Sequence, residues 1–376
     1  MSKILILTAG FGEGHNAAAR ALAEAFDRED GPGTAVVADI FALAAPRFNT
    51  LARRGYIELI NRAPGAWSRF YRWVDHSRIV ERRLWFFARE TAVLRRLLAR
   101  EQPYAVCCTF PVCTFLLAHI ARTGGPSLPC YNIVTDSISI HSLWWRSACD
   151  GWFLPNDDSA AVVLRAGLDP TQVHVPGFPV PRFFTEQAGV LAPPDLSAGA
   201  APRVLHIINS GTRNAAATAR QLLANEDWEI TCAVGRNERL RRELSALAAR
   251  RRRPATILGW TNEIPRLLMT HHVVVSKAGG ATTQEAINAL YPMIVSQVVP
   301  GQEEGNYELL RRHAAGALAT TSDAVIATLR HAFADRGRVW REWRAALAPL
   351  ARPDAAMDIA RHVLAVNETR PAFPLA

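Results

Sequence analysis

Lysine is almost absent from this chain of 376 residues. Only Lys3 and Lys277 are lysines, and the other 41 of its 43 basic residues are arginine. Such a bias is typical of genome-wide arginine codon use, so the net charge of +9 is a weak argument for nucleic acid, anionic lipid or phosphorylated partners. Where arginine is the default, a retained lysine is a candidate for a specific role.

Long apolar runs and paired cysteines are also lacking. The nearest approach to a membrane span, residues 104–121, contains Pro111, His119 and several threonines, and it predicts a buried strand followed by a helix. The six cysteines show no CxxC spacing, and the first apolar run is too short for a secretion signal. We therefore expect reduced thiols, neither disulfides nor structural zinc, and a cytosolic protein.

Short apolar runs that alternate with helical patterns make up most of the chain. Hydrophobic residues at 49% and charged residues at 20% can bury large cores, which excludes intrinsic disorder, and the length indicates about two domains. Such alternation is typical of α/β domains with parallel sheets. Strands are predicted at residues 4–8, 35–39, 105–109, 130–134, 204–208, 229–234, 255–258, 273–276 and 293–298.

The alternation stops once, in a stretch rich in Ala, Pro and Gly at residues 185–202, which we interpret as a linker. It separates an N-terminal domain, residues 1–184, from a C-terminal domain, residues 203–350. We expect the helix predicted within residues 351–376 to pack back on the N-terminal domain.

An insertion at residues 47–100 differs in composition from its surroundings. It holds thirteen arginines, four acidic residues and nine aromatic residues, so its net charge equals that of the whole chain. Arginines with clustered Trp and Phe are typical of helices that lie on an anionic membrane surface. Ordinary helices with aromatics facing the core fit equally well, and stacking on nucleic acid is a third interpretation.

Two glycine-rich turns each join a predicted strand to a helix. In the first, Gly12 and Gly14 precede His15, where a helix N-terminus favours a neutral imidazole that can act as a base. Its spacing is not GxGxxG, and a plain tight turn is the alternative. In the second, Lys277 precedes a paired-glycine helix start, an arrangement that supplies N–H groups and hydroxyls to a diphosphate without a metal. No Walker pattern is present, and a lysine that reaches solvent is the alternative.

Two further polar segments follow predicted strands. The loop at residues 299–306 carries amide and carboxylate side chains between two glycines, which can bind sugar hydroxyls or form a solvated turn. Asp136, with His141 and Trp144 after it, follows the strand at residues 130–134. The carboxyl ends of strands are where open α/β sheets place their active sites.

Together these motifs resemble the monogalactosyldiacylglycerol synthase and processive diacylglycerol glucosyltransferase group of the family-28 glycosyltransferases. The resemblance extends from Lys3 to about Gly316, and SKAGGATTQEA and PGQEEGN are its most specific parts; the others are GFGEGHNAAARAL, VTDSISIHSLWW, GFPVPRFF, AVGRNERL and GWTNEI. It implies a glycosyltransferase-B (GT-B) fold, in which two facing Rossmann-like domains hold the active site in the cleft between them.

The resemblance also implies roles for individual residues. His15 and Asp136 would be candidates for the base, with His141 as a partner of Asp136, and the acceptor side would include Gly12, Gly14 and Trp144. The donor side would be formed by Gly211, Arg236, Asn237, Trp260, Lys277, Gly279, Gly280, Thr282, Glu285, Gln302, Glu303 and Asn306. The turn that contains Gly211 departs from the glycine-rich pattern of the group, because it reads INSGTR at residues 208–213.

The activity implied is inverting, metal-independent transfer of glucose or galactose from a UDP-sugar to diacylglycerol or a related lipid. No cofactor, no bound metal and no nucleic acid are expected, and the protein would lie at the inner face of a membrane, on an anionic surface. Two alternatives remain open. A dinucleotide-dependent oxidoreductase would use the first glycine turn and Asp39, and a non-catalytic membrane or nucleic-acid binding protein would use the insertion.

Overall fold

The computed structural model describes residues 3–10, 12–208, 214–301 and 303–368, with two compact units. The first unit comprises the described parts of Met1–Tyr56, Arg69–Arg182 and Arg352–Ala376. The second comprises those of Ile57–Ser68 and Phe183–Ala351, so one piece of the insertion belongs to the second unit. Each unit contains a six-stranded parallel sheet, which is the predicted α/β class.

The sheet of the first unit has the strand order β2-β1-β3-β4-β5-β6. Its strands are β1 (Ile4–Thr8), β2 (Ala35–Asp39), β3 (Ala105–Cys108), β4 (Cys130–Ile133), β5 (Gly151–Phe153) and β6 (Val173–His174). The helices that lie wholly or partly in the first unit include α1 (Glu13–Asp30), α2 (Ile40–Ala44), α3 (Pro46–Arg62), α4 (Pro64–Ser77), α5 (Ile79–Arg82), α6 (Ala88–Glu101), α7 (Val112–Arg122), α8 (Leu143–Arg146) and α9 (Asp157–Arg165). Because β1 pairs with both β2 and β3, the order reverses there, which opens a crevice beyond their carboxyl ends.

The sheet of the second unit has the order β12-β11-β10-β7-β8-β9. Its strands are β7 (Arg203–Ile207), β8 (Glu229–Ala233), β9 (Ala255–Leu258), β10 (Val273–Lys277), β11 (Met293–Gln297) and β12 (Gly316–Leu318). Its helices are α10 (Phe183–Glu186), α11 (Ala215–Ala224), α12 (Glu238–Ala248), α13 (Ile264–Thr270), α14 (Gly280–Asn288), α15 (Glu304–Arg312) and α16 (Ser322–Leu347). The order reverses between β7 and β10, so here too the crevice follows from the topology.

Helix α17 (Ala355–Glu368) returns to the first unit and packs on α1. Ile359, Ala360 and Val363 are fully buried there, in one cluster with Ile4 and Phe26. Alternate residues of β1 face opposite sides of the sheet, and Leu5 and Leu7 join a second cluster under α6 and α7. All five residues of β1 are buried, as expected for the central part of a parallel sheet.

Several features of the fold were not predicted, among them helices α9, α13, α15 and α16. Strands β5, β6 and β12 have only two or three residues each, too few for a periodic signal. Helix α16 is interrupted at residues 334–337, where Asp335, Arg336 and Gly337 adopt left-handed backbone angles. The predicted strands that the structure contains are otherwise within about a residue of their observed bounds.

Gly177, in the GFPVPRFF segment, is required by close packing in the first unit. Its φ is +115°, and a Cβ atom there would lie 2.4 Å from Cβ of Arg352 and 3.1 Å from Cβ of Ala355. Both a positive φ and a close approach to the start of α17 therefore favour glycine.

We predict that Gly177→Ala lowers the free energy of unfolding by about 2 kcal/mol or more, because strain and overpacking add. Gly167→Ala is the control, since Gly167 has a φ of +97° but a Cβ atom there would have no neighbour within 4 Å. Urea unfolding of both variants tests this. Equal losses in the two variants would show that packing on α17 contributes nothing.

Candidate active site

His15 lies in the first turn of α1, directly beyond β1. Gly12 caps this helix with extended backbone and provides no side-chain bond to its N–H groups. The buried imidazole has its Nδ1 2.6 Å from the carbonyl oxygen of Thr109 and 2.9 Å from Oγ1 of Thr135. A carbonyl only accepts, so Nδ1 carries the hydrogen and Nε2 keeps its lone pair. Nε2 has no hydrogen-bond partner among the described residues, which leaves it available as a base.

The imidazole of His15 is neutral at pH 7. Burial lowers its pKa to about 4, and the bond to the Thr109 carbonyl opposes this shift only in part. The sequence predicted a neutral imidazole and ascribed it to the helix N-terminus, but burial is the largest cause. Phe110 contacts the ring edge to face at 5.2 Å and helps to bury it.

Asp136 follows β4, and its neighbour in sequence, Thr135, contacts His15. Oδ2 of Asp136 accepts a hydrogen bond of 2.8 Å from Nε1 of Trp144. Burial raises the pKa of Asp136 to about 6, against the lowering effect of that bond and of a bond from the His141 backbone. With a pKa of about 6, Asp136 is still mostly ionised at pH 7, but it becomes protonated at a higher pH than an exposed carboxyl does.

Trp144 is fully buried, so the prediction that it lies on the acceptor surface is wrong. Its indole nitrogen binds Asp136, and its carbonyl oxygen accepts bonds from Nδ2 of Asn132 at 3.0 Å and from Nε1 of Trp152 at 2.7 Å. Its ring centroid is 6.3 Å from that of His15. Trp144 thus positions Asp136 and adjoins His15 from within the core.

His141 contacts the insertion rather than the Asp136 carboxylate, which corrects the predicted pairing. Its Nδ1 accepts from the Leu143 N–H at 3.2 Å and lies 3.3 Å from Oδ1 of Asp75, and its ring contacts Tyr71. Burial lowers the pKa of His141, while the Asp75 charge raises it. Only the backbone N–H of His141 reaches Asp136.

The loop after Asp136 holds backbone strain that the sequence did not reveal. Ile138 has a φ of +53°, which is rare for a β-branched residue and is typical of functional sites. Its N–H donates to Oγ of Ser159 at 3.0 Å, and Asn156 caps helix α9 through the Ser159 N–H. The start of α9 therefore supports the strained loop.

The second glycine turn begins helix α14 in the second unit. Gly279 is its N-cap, with a φ of −68° and no side-chain cap, so the glycine leaves the helix N–H groups uncovered rather than supplying a positive φ. Gly280 is the first helical residue, and Thr282 and Glu285 follow, both partly buried. Uncapped N–H groups and the helix dipole favour an anionic ligand.

Lys277 and Glu303 form an ion pair between the two polar segments of this unit. Oε2 of Glu303 also accepts from the Val299 N–H at 3.1 Å, and Nδ2 of Asn306 donates to the Ala278 carbonyl at 2.9 Å. The interpretation of Lys277 as a lysine that merely reaches solvent is therefore wrong.

The remaining donor-side candidates are more scattered. Arg236 and Trp260 are exposed, the latter by 69%, and Oδ1 of Asn237 caps helix α12 through the Leu240 N–H. Gly211 and Gln302 lie outside the described residues.

Asp39, which the oxidoreductase alternative required as a ligand, has a structural role. Its Oδ1 accepts from the N–H groups of Phe41 and Ala42 at the start of α2, and its Oδ2 accepts from the Gly10 N–H at 2.9 Å. Both oxygens bind backbone N–H groups, so a structural role accounts for Asp39 without a ribose.

The insertion has an inner and an outer set of apolar residues. Val80 is buried in the core, and Val74, Ile79, Leu84 and Phe87 pack against the same cluster. An outer set is exposed by half or more of each side chain: Phe48, Leu51, Phe70, Trp73, Trp85 and Phe86. Core packing therefore explains only the inner set. In the described part of the chain, no helix is long and apolar enough to span a membrane.

Comparisons with known proteins agree with this fold. A family model described as monogalactosyldiacylglycerol (MGDG) synthase matches residues 15–180. The chain is 25% identical over 375 residues to a processive diacylglycerol beta-glucosyltransferase of Bacillus cereus (strain AH187), with 98% of this chain and 95% of the relative covered.

Solved structures share the fold at low identity. Os79 from O. sativa, in complex with U2F and trichothecene, has a TM-score of 0.66 and 11% identity over 97% of this chain and 100% of its own. UDP-GlcNAc 2-epimerase from Neisseria meningitidis, bound to UDP-GlcNAc, has a TM-score of 0.61 and 12% identity over 96% and 100%. An epimerase shares the fold, so the fold alone does not distinguish a transferase from an epimerase. The sequence relatives, which are glucosyltransferases, make that distinction.

The paired sheets and the sequence relatives together define a glycosyltransferase of the GT-B fold. Within that class the chain is similar to the monogalactosyldiacylglycerol synthases and processive diacylglycerol glucosyltransferases, which confirms the resemblance of its motifs. The prediction of a transferase is also confirmed, and the oxidoreductase alternative is wrong.

Proposed function

We propose that this chain transfers a hexose from UDP-glucose or UDP-galactose to the hydroxyl of diacylglycerol or a related lipid, with inversion and without a divalent metal. The observation that carries the proposal is the buried His15, whose Nε2 is unprotonated and has no hydrogen-bond partner among the described residues. A bare imidazole nitrogen at a sheet switch point suits removal of a proton from an acceptor hydroxyl.

In the proposed reaction, Nε2 of His15 takes the hydroxyl proton as the acceptor oxygen attacks the anomeric carbon of the sugar. The bond from that carbon to the diphosphate breaks, and UDP leaves with the electron pair. Attack opposite the leaving group inverts the anomeric centre. Ionised Asp136, close to the histidine through Thr135 and Trp144, stabilises the imidazolium that forms.

The donor would bind to the second unit. The uncapped start of α14 and its dipole would stabilise the charge that develops on the diphosphate, which is the task of a metal in other transferases. Glu285 would bind the ribose hydroxyls, and Gln302, Glu303 and Asn306 would face the sugar.

We predict that His15→Ala and Asp136→Asn each lower kcat by at least about a hundredfold, the lower range of general-base effects, with donor affinity intact. The pH profile of kcat/KM should also fall on the acid side near pH 6, where Asp136 becomes protonated, because the pKa of His15 is only about 4. Asp136→Asn should remove that acid limb.

His331→Ala is the matched control, since His331 is exposed on α16 and should keep the wild-type rate. Near-normal kcat in either site variant removes that residue from the proton transfer. Loss confined to donor affinity reassigns it to binding.

Donor binding gives a separate prediction. Glu285→Ala and Gln302→Ala should each weaken UDP-glucose binding by about tenfold, as expected for loss of a hydrogen bond to a charged or buried group. Calorimetry with and without EDTA measures this, and EDTA should change nothing. Unchanged affinity in both variants, or binding abolished by EDTA, contradicts the proposed donor site.

The lipid substrate requires contact with a membrane, and we propose that the outer set of the insertion supplies it. Exposed arginines accompany these side chains, among them Arg72, Arg82, Arg83 and Arg89. Asp75 and Glu81 turn inward, to the Ser142 N–H at 2.7 Å and to Arg146 at 3.0 Å. The outward charge is therefore mainly positive, which suits the anionic cytoplasmic face of a membrane.

We predict that the protein floats with anionic vesicles and that this binding weakens with salt, since each arginine near the surface contributes about 1 kcal/mol. The variant Trp73→Ser/Trp85→Ser/Phe86→Ser should lose most of the binding. Val190→Ser is the control, because Val190 is 73% exposed but lies in the second unit. Equal recovery with neutral vesicles, or no loss in the triple variant, rejects this surface.

A further inference from the structure

Lys277 occupies an irregular position in the second sheet. Strands β10 and β11 pair in register up to Ser276 and Val295, but Lys277 pairs with Gln297, so Ser296 is an extra residue. Such a bulge bends a strand and redirects the side chains beside it. Here the Lys277 side chain reaches the carboxylate of Glu303, 26 residues further along the chain.

The carboxylate of Glu303 is buried and fixed by two hydrogen bonds. Only 5% of the residue is exposed, Oε1 accepts from Lys277, and Oε2 accepts from the Val299 N–H. A buried carboxylate without a cation would be costly, so Lys277 provides the compensating charge and fixes the direction of the carboxylate. Each carboxylate oxygen can accept a second hydrogen bond, which leaves acceptor capacity for a hydroxyl.

Two neighbouring features leave this pair open to a hydroxyl-bearing ligand. A Cβ atom at Gly279 would lie 3.7 Å from Cε of Lys277 and 3.9 Å from Oε1 of Glu303, so a larger side chain there would cover the pair. Asn306 is 4% exposed and anchored through Nδ2, yet its Oδ1 has no hydrogen-bond partner among the described residues. A buried acceptor of this kind indicates a missing donor.

We propose that Lys277 is a positioning residue that acts on the sugar of the donor through Glu303, and is not a ligand of the diphosphate. Glu303 accepts from a sugar hydroxyl, with Asn306 Oδ1 as a second acceptor. This inference rests on the proposed function, since it assumes a nucleotide-sugar donor. It also accounts for a lysine in an arginine-rich chain, because Lys277 is a compact point charge that contacts one carboxylate oxygen of Glu303.

The test compares two probes, UDP and UDP-glucose, by calorimetry on the full chain. Lys277→Met should weaken UDP-glucose binding by about tenfold, as expected for loss of a charge-assisted contact, and leave UDP binding unchanged. Equal weakening of both probes would overturn the inference and make Lys277 a diphosphate ligand. Unchanged binding of both would overturn it as well. A wild-type chain that binds neither probe contradicts the proposed function itself.

Further variants separate positioning from general damage. Glu303→Gln should mimic Lys277→Met, and the double variant should lose no more UDP-glucose affinity than either single one, because the two residues act as a unit. Lys277→Arg should retain more UDP-glucose affinity than Lys277→Met. Retained UDP binding shows that each variant is folded. Additive losses in the double variant would overturn the inference.

Arg220→Met supplies the matched control in the same unit. Arg220 forms an exposed ion pair with Glu243 at 2.6 Å on the surface of helices α11 and α12. Its removal should change neither affinity, because exposed pairs contribute little.

Discussion

The hydrogen bond between Nδ1 of His15 and the Thr109 carbonyl is the contact on which the account of the active site depends. It joins the start of α1 to the end of β3, across the point where the strand order reverses. Since the carbonyl can only accept, the bond fixes the imidazole tautomer and leaves Nε2 bare. Burial then keeps the ring neutral, and Trp144, whose ring adjoins His15, holds Asp136 through its indole nitrogen.

In the second unit, too, a polar side-chain contact joins two segments that follow neighbouring strands, but here the contact is an ion pair. The strand order of this unit also reverses once, and the segments after β10 and β11 are joined by a side-chain contact between Lys277 and Glu303. Each unit therefore links two neighbouring loops through one buried polar group, His15 in the first and Glu303 in the second. Glycine N-caps at α1 and α14 leave the helix starts uncovered on the same edge of each sheet.

Much of the fold and of the two candidate sites was predictable from the sequence, because buried parallel strands are continuous apolar runs and Gly-rich turns mark where those strands end. His15, Asp136 and the Lys277 turn were found that way. The errors have a common cause: His141 and Trp144 follow Asp136 closely in sequence, but His141 turns to Asp75 and Trp144 into the core. Long-range partners such as Ser159 for Ile138, or Glu303 for Lys277, leave no local pattern. Short strands such as β6 also carry too few residues to show a period.

The most direct test of the central claim is a product analysis with UDP-glucose or UDP-galactose and diacylglycerol in anionic vesicles, in the presence of EDTA. The account predicts a glycolipid whose sugar is joined in the β configuration, since the donors are α-linked and direct attack inverts the anomeric centre. Four results would contradict it: release of free sugar, an epimerised nucleotide sugar, an α-linked product, or no glycolipid with either donor.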